Sequence, residues 1–197
     1  MKKESIKAHL TPYSIFRKRK TTINHAFASA IAPAALYDPA KLKEAIRSLG
    51  QDPDGDLKCV YCDANAATWD HLVGLVAKGE FRGSGHQIGN LVPCCGVCNS
   101  KKGARGWEDY LKRRTTEPGC KVVFEDRRKV IADYAAKYAV VVDPKVAATL
   151  RPAECIRYGE IREQIFGLMQ EADKIAAALG AAVLAHGEQV QNTAARI

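Results

Sequence analysis

Apolar side chains recur at helical spacing near the start of the chain and again in its last third. The spacing predicts a helix over residues 22–31. It predicts a second helix that begins after Asp38, a residue type that caps helix N-termini, and ends at Gly50. In the tail, the same period predicts a helix around residues 130–138. Residues 1–19 show no clear period and are interpreted as a basic arm.

The end of the chain carries a heptad-like row of apolar residues. Spacings of four and three alternate between residues 161 and 182, and such a row is typical of a coiled coil. The row fits a homodimer formed through this helix, and it also fits a single helix that packs on its own domain. Its members are Ile161, Ile165, Leu168, Ala172, Ile175, Leu179 and Ala182.

The middle of the chain has short apolar runs that are separated by turn residues. Residues 57–62 and 66–75 are predicted to be strands on either side of a turn. Residues 79–89 contain four glycines and are expected to form a long, flexible loop. Helical character returns near Gly96 and again over residues 107–114.

These elements predict a mixed α+β fold in three segments. A basic arm and helical preface occupy residues 1–56, a small core occupies residues 57–115, and a helical C-terminal region occupies residues 116–197. No apolar run approaches the roughly 18–20 residues of a membrane-spanning helix. The first ten residues also lack the apolar stretch of a secretory signal. We therefore expect a cytoplasmic protein with no membrane partner.

Basic residues are concentrated in the first part of the chain. The net charge is +8, and residues 116–197 contribute none of it, because they hold 11 basic and 11 acidic side chains. Local clusters lie at residues 17–20, 101–105 and 112–114. Such an asymmetry favours a polyanionic partner such as nucleic acid, and a solvated basic surface is the alternative.

Five of the seven cysteines fall between residues 59 and 98. An odd count without a signal peptide argues against a secreted disulfide framework. Two Cys-x-x-Cys pairs supply four thiolates, which is the ligand set of a closed, tetrahedral structural zinc site with one zinc per chain. A redox dithiol is the alternative, but it leaves the second pair unexplained. The predicted ligands are Cys59, Cys62, Cys95 and Cys98, with Cys94 as a buried neighbour.

Polar residues follow or lie between these cysteine pairs. Asp70 and His71 end a predicted strand, Asn90 comes shortly before the second pair, and Asn99 directly follows it. Because one zinc would draw these segments together, we expect a carboxylate, an imidazole and two amides to share one small site. Asp-His followed by Asn-Leu-Val-Pro-x-Cys-x-x-Cys-Asn-x-x-Lys-Gly, together with the first Cys-x-x-Cys, resembles the zinc-supported HNH endonucleases, which are ββα-metal nucleases.

The resemblance covers about residues 57–115 and implies a metal-dependent endonuclease that hydrolyses DNA phosphodiester bonds. It implies that His71 is the general base and that Asp70 and Asn99 hold one catalytic Mg²⁺. It further implies that Asn90 orients His71, and that the products carry 5′-phosphate and 3′-hydroxyl ends. A non-catalytic, zinc-dependent nucleic-acid-binding module is the alternative.

Basic residues after Asn99 would flank this site and contact the phosphates of double-stranded DNA without reading its sequence. His86, in the glycine-rich loop, is a candidate for contact with phosphate or metal. Trp69 and Trp107 are expected to belong to the core rather than to stack on bases. The predicted phosphate contacts are Lys101, Lys102, Arg105, Lys112, Arg113 and Arg114.

Overall fold

A computed structural model describes residues 6–7 and 10–194 of the chain. It divides into two compact units, a core unit, His25–Val146, and a helical unit, Met1–Asn24 with Ala147–Ile197. Helices and small antiparallel sheets make up the described part, which confirms the predicted α+β fold class. Within these residues, no helix combines the length and apolar character needed to cross a membrane.

A two-stranded sheet and one helix lie at the centre of the core unit. Strand β1, Thr68–His71, pairs antiparallel with β4, Leu91–Cys94, so that His71 lies opposite Leu91. Helix α3, Gly96–Lys102, follows β4 directly and packs against β1. Between β1 and β4, the strands β2, Val76–Ala77, and β3, Glu80–Phe81, form a short second hairpin.

Three further helices surround this centre. Helix α2, Pro39–Ser48, begins as predicted, because the Asp38 carboxylate accepts hydrogen bonds from the amides of Ala40 and Lys41. Helices α4, Trp107–Thr115, and α5, Phe124–Tyr138, pack against each other, and α5 also packs against α2. The core they share includes Ala45, Ile46, Val60, Tyr61, Val92, Tyr110, Leu111, Ile131 and Tyr134.

The predicted strand over residues 57–62 does not form. Lys58 makes one isolated bridge to Asn65, and a turn follows it. In this turn the Cys59 carbonyl accepts the amides of Cys62 and Asp63 at 3.3 and 2.9 Å. The apolar residues of the segment are buried because the turn itself enters the core. The pattern of apolar residues along the sequence does not distinguish such a buried turn from a strand.

Helix α1, Ile15–Ile31, begins earlier than the apolar spacing predicts. In the helical unit its first turn is capped by Asp173, whose carboxylate accepts hydrogen bonds from the amides of Ile15 and Phe16 and from the hydroxyl of Ser14. The basic cluster at residues 17–20 therefore lies on a helix. Residues 1–5 and 8–9 of the predicted arm lie outside the described residues.

The long helix α7, Pro152–Ala194, follows the short helix α6, Val146–Leu150. Phe166 of α7 is buried and packs edge-on against Phe16 of α1. Most of the heptad-like row is exposed instead, including Leu168, Ile175 and Leu179. This exposure leaves the row available to a partner, and the homodimer remains a prediction.

Candidate functional site

Four cysteines meet at one point of the core unit. The Sγ atoms of Cys59, Cys62, Cys95 and Cys98 lie within 4.8 Å of one another. The turn at residues 59–63 orients the first pair, and the start of α3 orients the second. At that start, the Cys95 thiol accepts the amide of Cys98 at 3.4 Å. The choice of Cys95 over Cys94 as a member of the cluster is confirmed.

The cluster has the chemistry and spacing of a tetrahedral zinc site. Zinc–sulfur bonds of about 2.3 Å place tetrahedral thiolates roughly 3.8 Å apart, and the Sγ atoms of Cys62 and Cys95 are 3.7 Å apart. A hydrogen bond with Cys94 and then burial raise the pKa of the Cys59 thiol, and burial raises that of Cys98. Zinc would therefore displace protons as it binds, and would couple metal affinity to pH.

Asp70 and His71 lie next to the cluster on β1, but they point to opposite faces of the strand, as successive strand residues do. Asp70 faces inward and is buried. Its carboxylate accepts a hydrogen bond from the Tyr61 hydroxyl at 2.8 Å and forms an ion pair with Lys102 at 3.2 Å. Burial, followed by the charge of Asp70, raises the pKa of Tyr61, so this hydroxyl stays a donor.

Lys102 was predicted to contact phosphate, but its side chain is only 2% exposed. Its ammonium group donates to the carbonyl oxygen of His71 at 2.8 Å, as well as pairing with Asp70. A buried ammonium with two such partners holds β1 against α3 and is not available to DNA. The side chain of the neighbouring Lys101 is 53% exposed, and its contact with phosphate stays a prediction.

The other predicted phosphate contacts differ in their accessibility. Lys112 and Arg113 are exposed on α4, and Arg105 is exposed in the turn before it. Arg114 is largely buried and pairs with Glu117 at 3.3 Å. Burial acts to lower the pKa of Arg114, but a hydrogen bond to Cys98 and the neighbouring thiols raise it above its usual value. A guanidinium in this position suits the negative charge of a four-thiolate zinc centre.

The outer face of β1 carries His71, which is half-buried and faces a second histidine. The His71 Nε2 atom lies 3.1 Å from Nδ1 of His86, with the ring centroids 5.0 Å apart and the rings nearly perpendicular. Burial and then the neighbouring His86 lower the pKa of His71 below that of free imidazole. His71 is therefore neutral near pH 7, which is the form that can accept a proton.

Asn90 holds the backbone on either side of this histidine pair. Its side-chain oxygen accepts the amide of Val73 at 2.8 Å. Its side-chain nitrogen donates to the carbonyls of Val73 and Gly85 at 3.1 and 3.0 Å. Asn90 therefore ties the backbone two residues after His71 to the loop that carries His86. Its role in orienting His71 stays a prediction.

The glycine-rich segment, expected to form one long, flexible loop, contains strand β3 and packs against other parts of the core unit from residue 83 onwards. Gly83, Gly85 and Gly89 are buried, and a Cβ atom on each would lie about 2 Å from a backbone atom of another segment. For Gly85 that atom is the carbonyl oxygen of Pro33. The glycines serve close backbone approach, which composition alone does not separate from mobility.

Asn99 lies partly exposed on α3, the helix that packs against β1. Beside the histidine pair, a mostly apolar cleft of about 280 Å³ is lined by residues that include His86, Tyr37 and Trp69. Trp69 is 42% exposed, so its expected place in the core was wrong, whereas Trp107 packs against the core as expected. Trp69 and His71 share one face of β1, because they are two residues apart.

Comparison with known proteins finds no relative of this chain. No family model, no curated protein and no solved structure matches the chain. The conclusions about function therefore depend on the site: a four-cysteine cluster suited to zinc, with a half-buried histidine pair on the neighbouring strand.

Proposed function

We propose that this chain is a metal-dependent endonuclease that hydrolyses DNA phosphodiester bonds. The observation that carries the proposal is the placement of His71, a neutral imidazole whose carbonyl accepts a hydrogen bond from Lys102 and which lies two residues before Val73, whose backbone Asn90 holds. The strand that bears it packs against a helix that follows the cysteine cluster. A neutral imidazole of lowered pKa is suited to take a proton from water at cellular pH.

In the proposed reaction, His71 accepts a proton from a water molecule, whose oxygen forms a bond to the scissile phosphorus. The bond between phosphorus and the 3′ oxygen breaks, and the leaving oxygen takes a proton from solvent. The products carry 5′-phosphate and 3′-hydroxyl ends. Lys102 and Asn90 contribute by holding the backbone of β1 and of the residues after it, so that the imidazole keeps its place.

Asp70 and Asn99 would hold one Mg²⁺ in this reaction. Both supply the hard oxygen ligands that Mg²⁺ prefers, and they lie on two elements that pack together. Asp70 faces inward, on the face of β1 opposite His71, and already accepts bonds from Tyr61 and Lys102. An ionised carboxylate has about four lone-pair sites, so it would add the ion as a further partner once its side chain turned toward the face that carries His71. When bound, such an ion supplies positive charge to the phosphoryl oxygens and the leaving oxygen.

Exposed basic residues after the site would bind the phosphates of double-stranded DNA. Lys101, Arg105, Lys112 and Arg113 present their charges to solvent. Each phosphate contact should contribute about one unit to the dependence of log affinity on log salt. Replacing Lys112 by Gln should therefore weaken binding to all sequences alike and reduce that slope by about one unit.

A plasmid-nicking assay tests the nuclease proposal. Zinc-loaded protein should nick supercoiled DNA when Mg²⁺ is added and should not when Mg²⁺ is withheld. His71→Ala should lower the rate by about 100-fold or more, as expected for the loss of a general base. His186→Ala, at an exposed histidine of α7, is the matched control and should keep the parent rate. No cutting with any of several divalent metals would overturn the proposal.

A second function is favoured by the buried pair of Asp70 and Lys102. A carboxylate that is neutralised by a buried ammonium can act entirely in holding β1 to α3, as it would in a non-catalytic nucleic-acid-binding module. That function predicts salt-dependent DNA binding in a gel-shift assay without nicking under any metal. It further predicts that His71→Ala binds DNA as tightly as the parent.

Cutting both strands would require two sites, which a homodimer through α7 could supply. The exposed row that includes Leu168, Ile175 and Leu179 is the surface that we propose for this contact. Light scattering at micromolar concentration should give twice the chain mass, and Leu168→Glu with Ile175→Glu should return it to one chain. A monomeric parent protein would overturn the dimer and leave the nicking activity as proposed.

A further inference from the structure

We propose that His86 is a positioning residue that fixes the tautomer of His71 by accepting a hydrogen bond from it. The Nε2 atom of His71 and the Nδ1 atom of His86 are 3.1 Å apart, which is hydrogen-bond distance. The two rings meet with an interplanar angle of 69°. This inference rests on the proposed function, because the role of His71 as a general base sets the direction of the hydrogen bond.

The direction of this hydrogen bond follows from the chemistry of imidazole together with the proposed role of His71 as a base. A neutral imidazole carries one N–H group and one nitrogen with a free lone pair. If His71 donates from Nε2, its Nδ1 is the basic nitrogen and can take a proton. If His86 donates instead, its proton occupies the lone pair on Nε2 of His71, and the other nitrogen of His71 carries the N–H. Only the first arrangement leaves His71 able to act as a general base.

The same arrangement keeps His71 in place after it has accepted a proton. The resulting imidazolium still donates from Nε2 to Nδ1 of His86, and a hydrogen bond from a charged donor is stronger than one between neutral groups. His86 therefore holds the ring in one orientation before and after the proton transfer, which is what a positioning residue contributes to the rate.

The backbone around His86 is built to hold it in place. Its carbonyl accepts the amide of Ala35 at 3.0 Å, and the carbonyl of Gly85 accepts the side chain of Asn90 at 3.0 Å. On the other side, the Gln87 side chain donates to the carbonyl of Val140. Three consecutive residues are thus anchored to three different segments, and this fixes the position of the imidazole between them.

The glycine before His86 also contributes to this placement. A Cβ atom at Gly85 would lie 1.9 Å from the carbonyl oxygen of Pro33, so only glycine lets the loop approach the segment after α1. The approach is what lets Ala35 bond to His86. Position 85 therefore requires glycine, as expected for a segment that positions one side chain.

Nitrogen-15 NMR of the histidine rings tests the tautomer directly, in the full-length zinc-loaded protein. We expect His71 to show one tautomer, with the proton on Nε2. In His86→Leu the two tautomers should become mixed. His86→Asn should restore the single Nε2–H tautomer of His71, because an asparagine side-chain oxygen can replace Nδ1 as the acceptor. This measurement does not depend on nuclease activity, so it separates a failure of this inference from a failure of the proposed function.

Nicking kinetics then test the consequence. His86→Leu should lower kcat by about 10- to 100-fold, the loss expected for one hydrogen bond to a charged donor, with KM unchanged. His86→Asn should recover most of the rate, and His186→Leu is the control at an exposed position of α7. A change confined to KM would assign His86 to substrate binding instead and would overturn the positioning role.

Two imidazole nitrogens at this separation could instead chelate a transition-metal ion, and the same samples exclude or establish that arrangement. Adding Co²⁺ to zinc-loaded protein should leave the His71 and His86 resonances in place if the pair is hydrogen-bonded. Stoichiometric loss of both resonances, abolished by His86→Leu, would overturn the inference. A His71 spectrum that is identical in the parent and His86→Leu would overturn it as well.

Discussion

Replacing Lys102 by Met, in comparison with Lys101→Met, separates a buried ion pair from a surface one at adjacent positions of α3. The Lys102 ammonium lies 3.2 Å from the Asp70 carboxylate and 2.8 Å from the carbonyl oxygen of His71, and its side chain is 2% exposed. Lys101 is 53% exposed and lies 3.5 Å from Glu117. Methionine keeps an unbranched apolar side chain, so each substitution chiefly removes the ammonium group.

The expected losses of stability differ by several kcal/mol. Removing one partner of a buried pair costs about 3–5 kcal/mol, because the other charge is left uncompensated. The hydrogen bond that Lys102 gives to the His71 carbonyl adds about 1 kcal/mol. An exposed pair contributes about 0–1 kcal/mol. We therefore expect the free energy of unfolding to fall by about 4–6 kcal/mol in Lys102→Met and by less than about 1 kcal/mol in Lys101→Met.

Urea denaturation of the zinc-loaded proteins, followed by circular dichroism, measures both changes. The double variant Lys102→Met with Asp70→Leu is the control, because replacing both members of a buried pair by apolar residues is often neutral. It should recover part of the stability lost in Lys102→Met, because it also leaves the buried Tyr61 hydroxyl without its Asp70 acceptor, which costs about 1–3 kcal/mol. Equal stability of the two single variants would refute the burial reasoning. Failure of the double variant to recover would show that an uncompensated Asp70 is not the cause.

Three further outcomes are expected elsewhere. Metal analysis should find about one zinc per chain. Cys59→Ser should lose the zinc and should no longer melt cooperatively when followed by circular dichroism. Cys155→Ser, at an exposed cysteine, is the control and should keep both properties. Gly89→Ala should cost about 2 kcal/mol or more in urea, since its Cβ would meet backbone at 2.1 Å, while Gly96→Ala, with open space around it, should be neutral. Hydrogen bonds from Ser14 and the first amides of α1 lower the pKa of Asp173. These bonds therefore hold at neutral pH and are lost only as the pH falls through that lowered pKa. The NMR shifts of the capped amides, followed against pH, should have their midpoint at this pKa.

Each of these outcomes has a result that would contradict it. A Cys59→Ser protein that melts cooperatively without zinc would show that the cluster does not stabilise the fold. A neutral Gly89→Ala would show that the loop can move away from its neighbours. An NMR midpoint for Asp173 at or above the ordinary aspartate pKa of about 4 would show that the carboxylate does not cap α1.

Local chemistry made part of this fold predictable from the sequence. The start of α2 follows from Asp38, whose side chain bonds amides within three residues of itself. The four cysteines follow from the two Cys-x-x-Cys pairs, because each pair is brought together by its own turn. In such cases the groups that interact are close in sequence, so the neighbouring residues decide the outcome.

Other features could not be predicted in this way. The loop at residues 79–89 is rich in glycine, which is equally compatible with a mobile segment and with one that packs closely against other backbone. His86 carried no clear signal, because its partner His71 lies 15 positions away and the pairing depends on how the loop closes. The nearest sign in the sequence that His86 has a defined position was its place in a glycine-rich loop that ends at Asn90.

The sequence by itself determined which residue types meet on each short element, and therefore the four cysteines of the candidate zinc site, the α+β class and the alternation of side chains along β1. Tertiary structure alone decided which of two neighbours faces inward: Asp70 rather than His71, and Lys102 rather than Lys101. The physical reason is that the period of a strand or helix is a local property. Its orientation toward the core is set by contacts between distant parts of the chain.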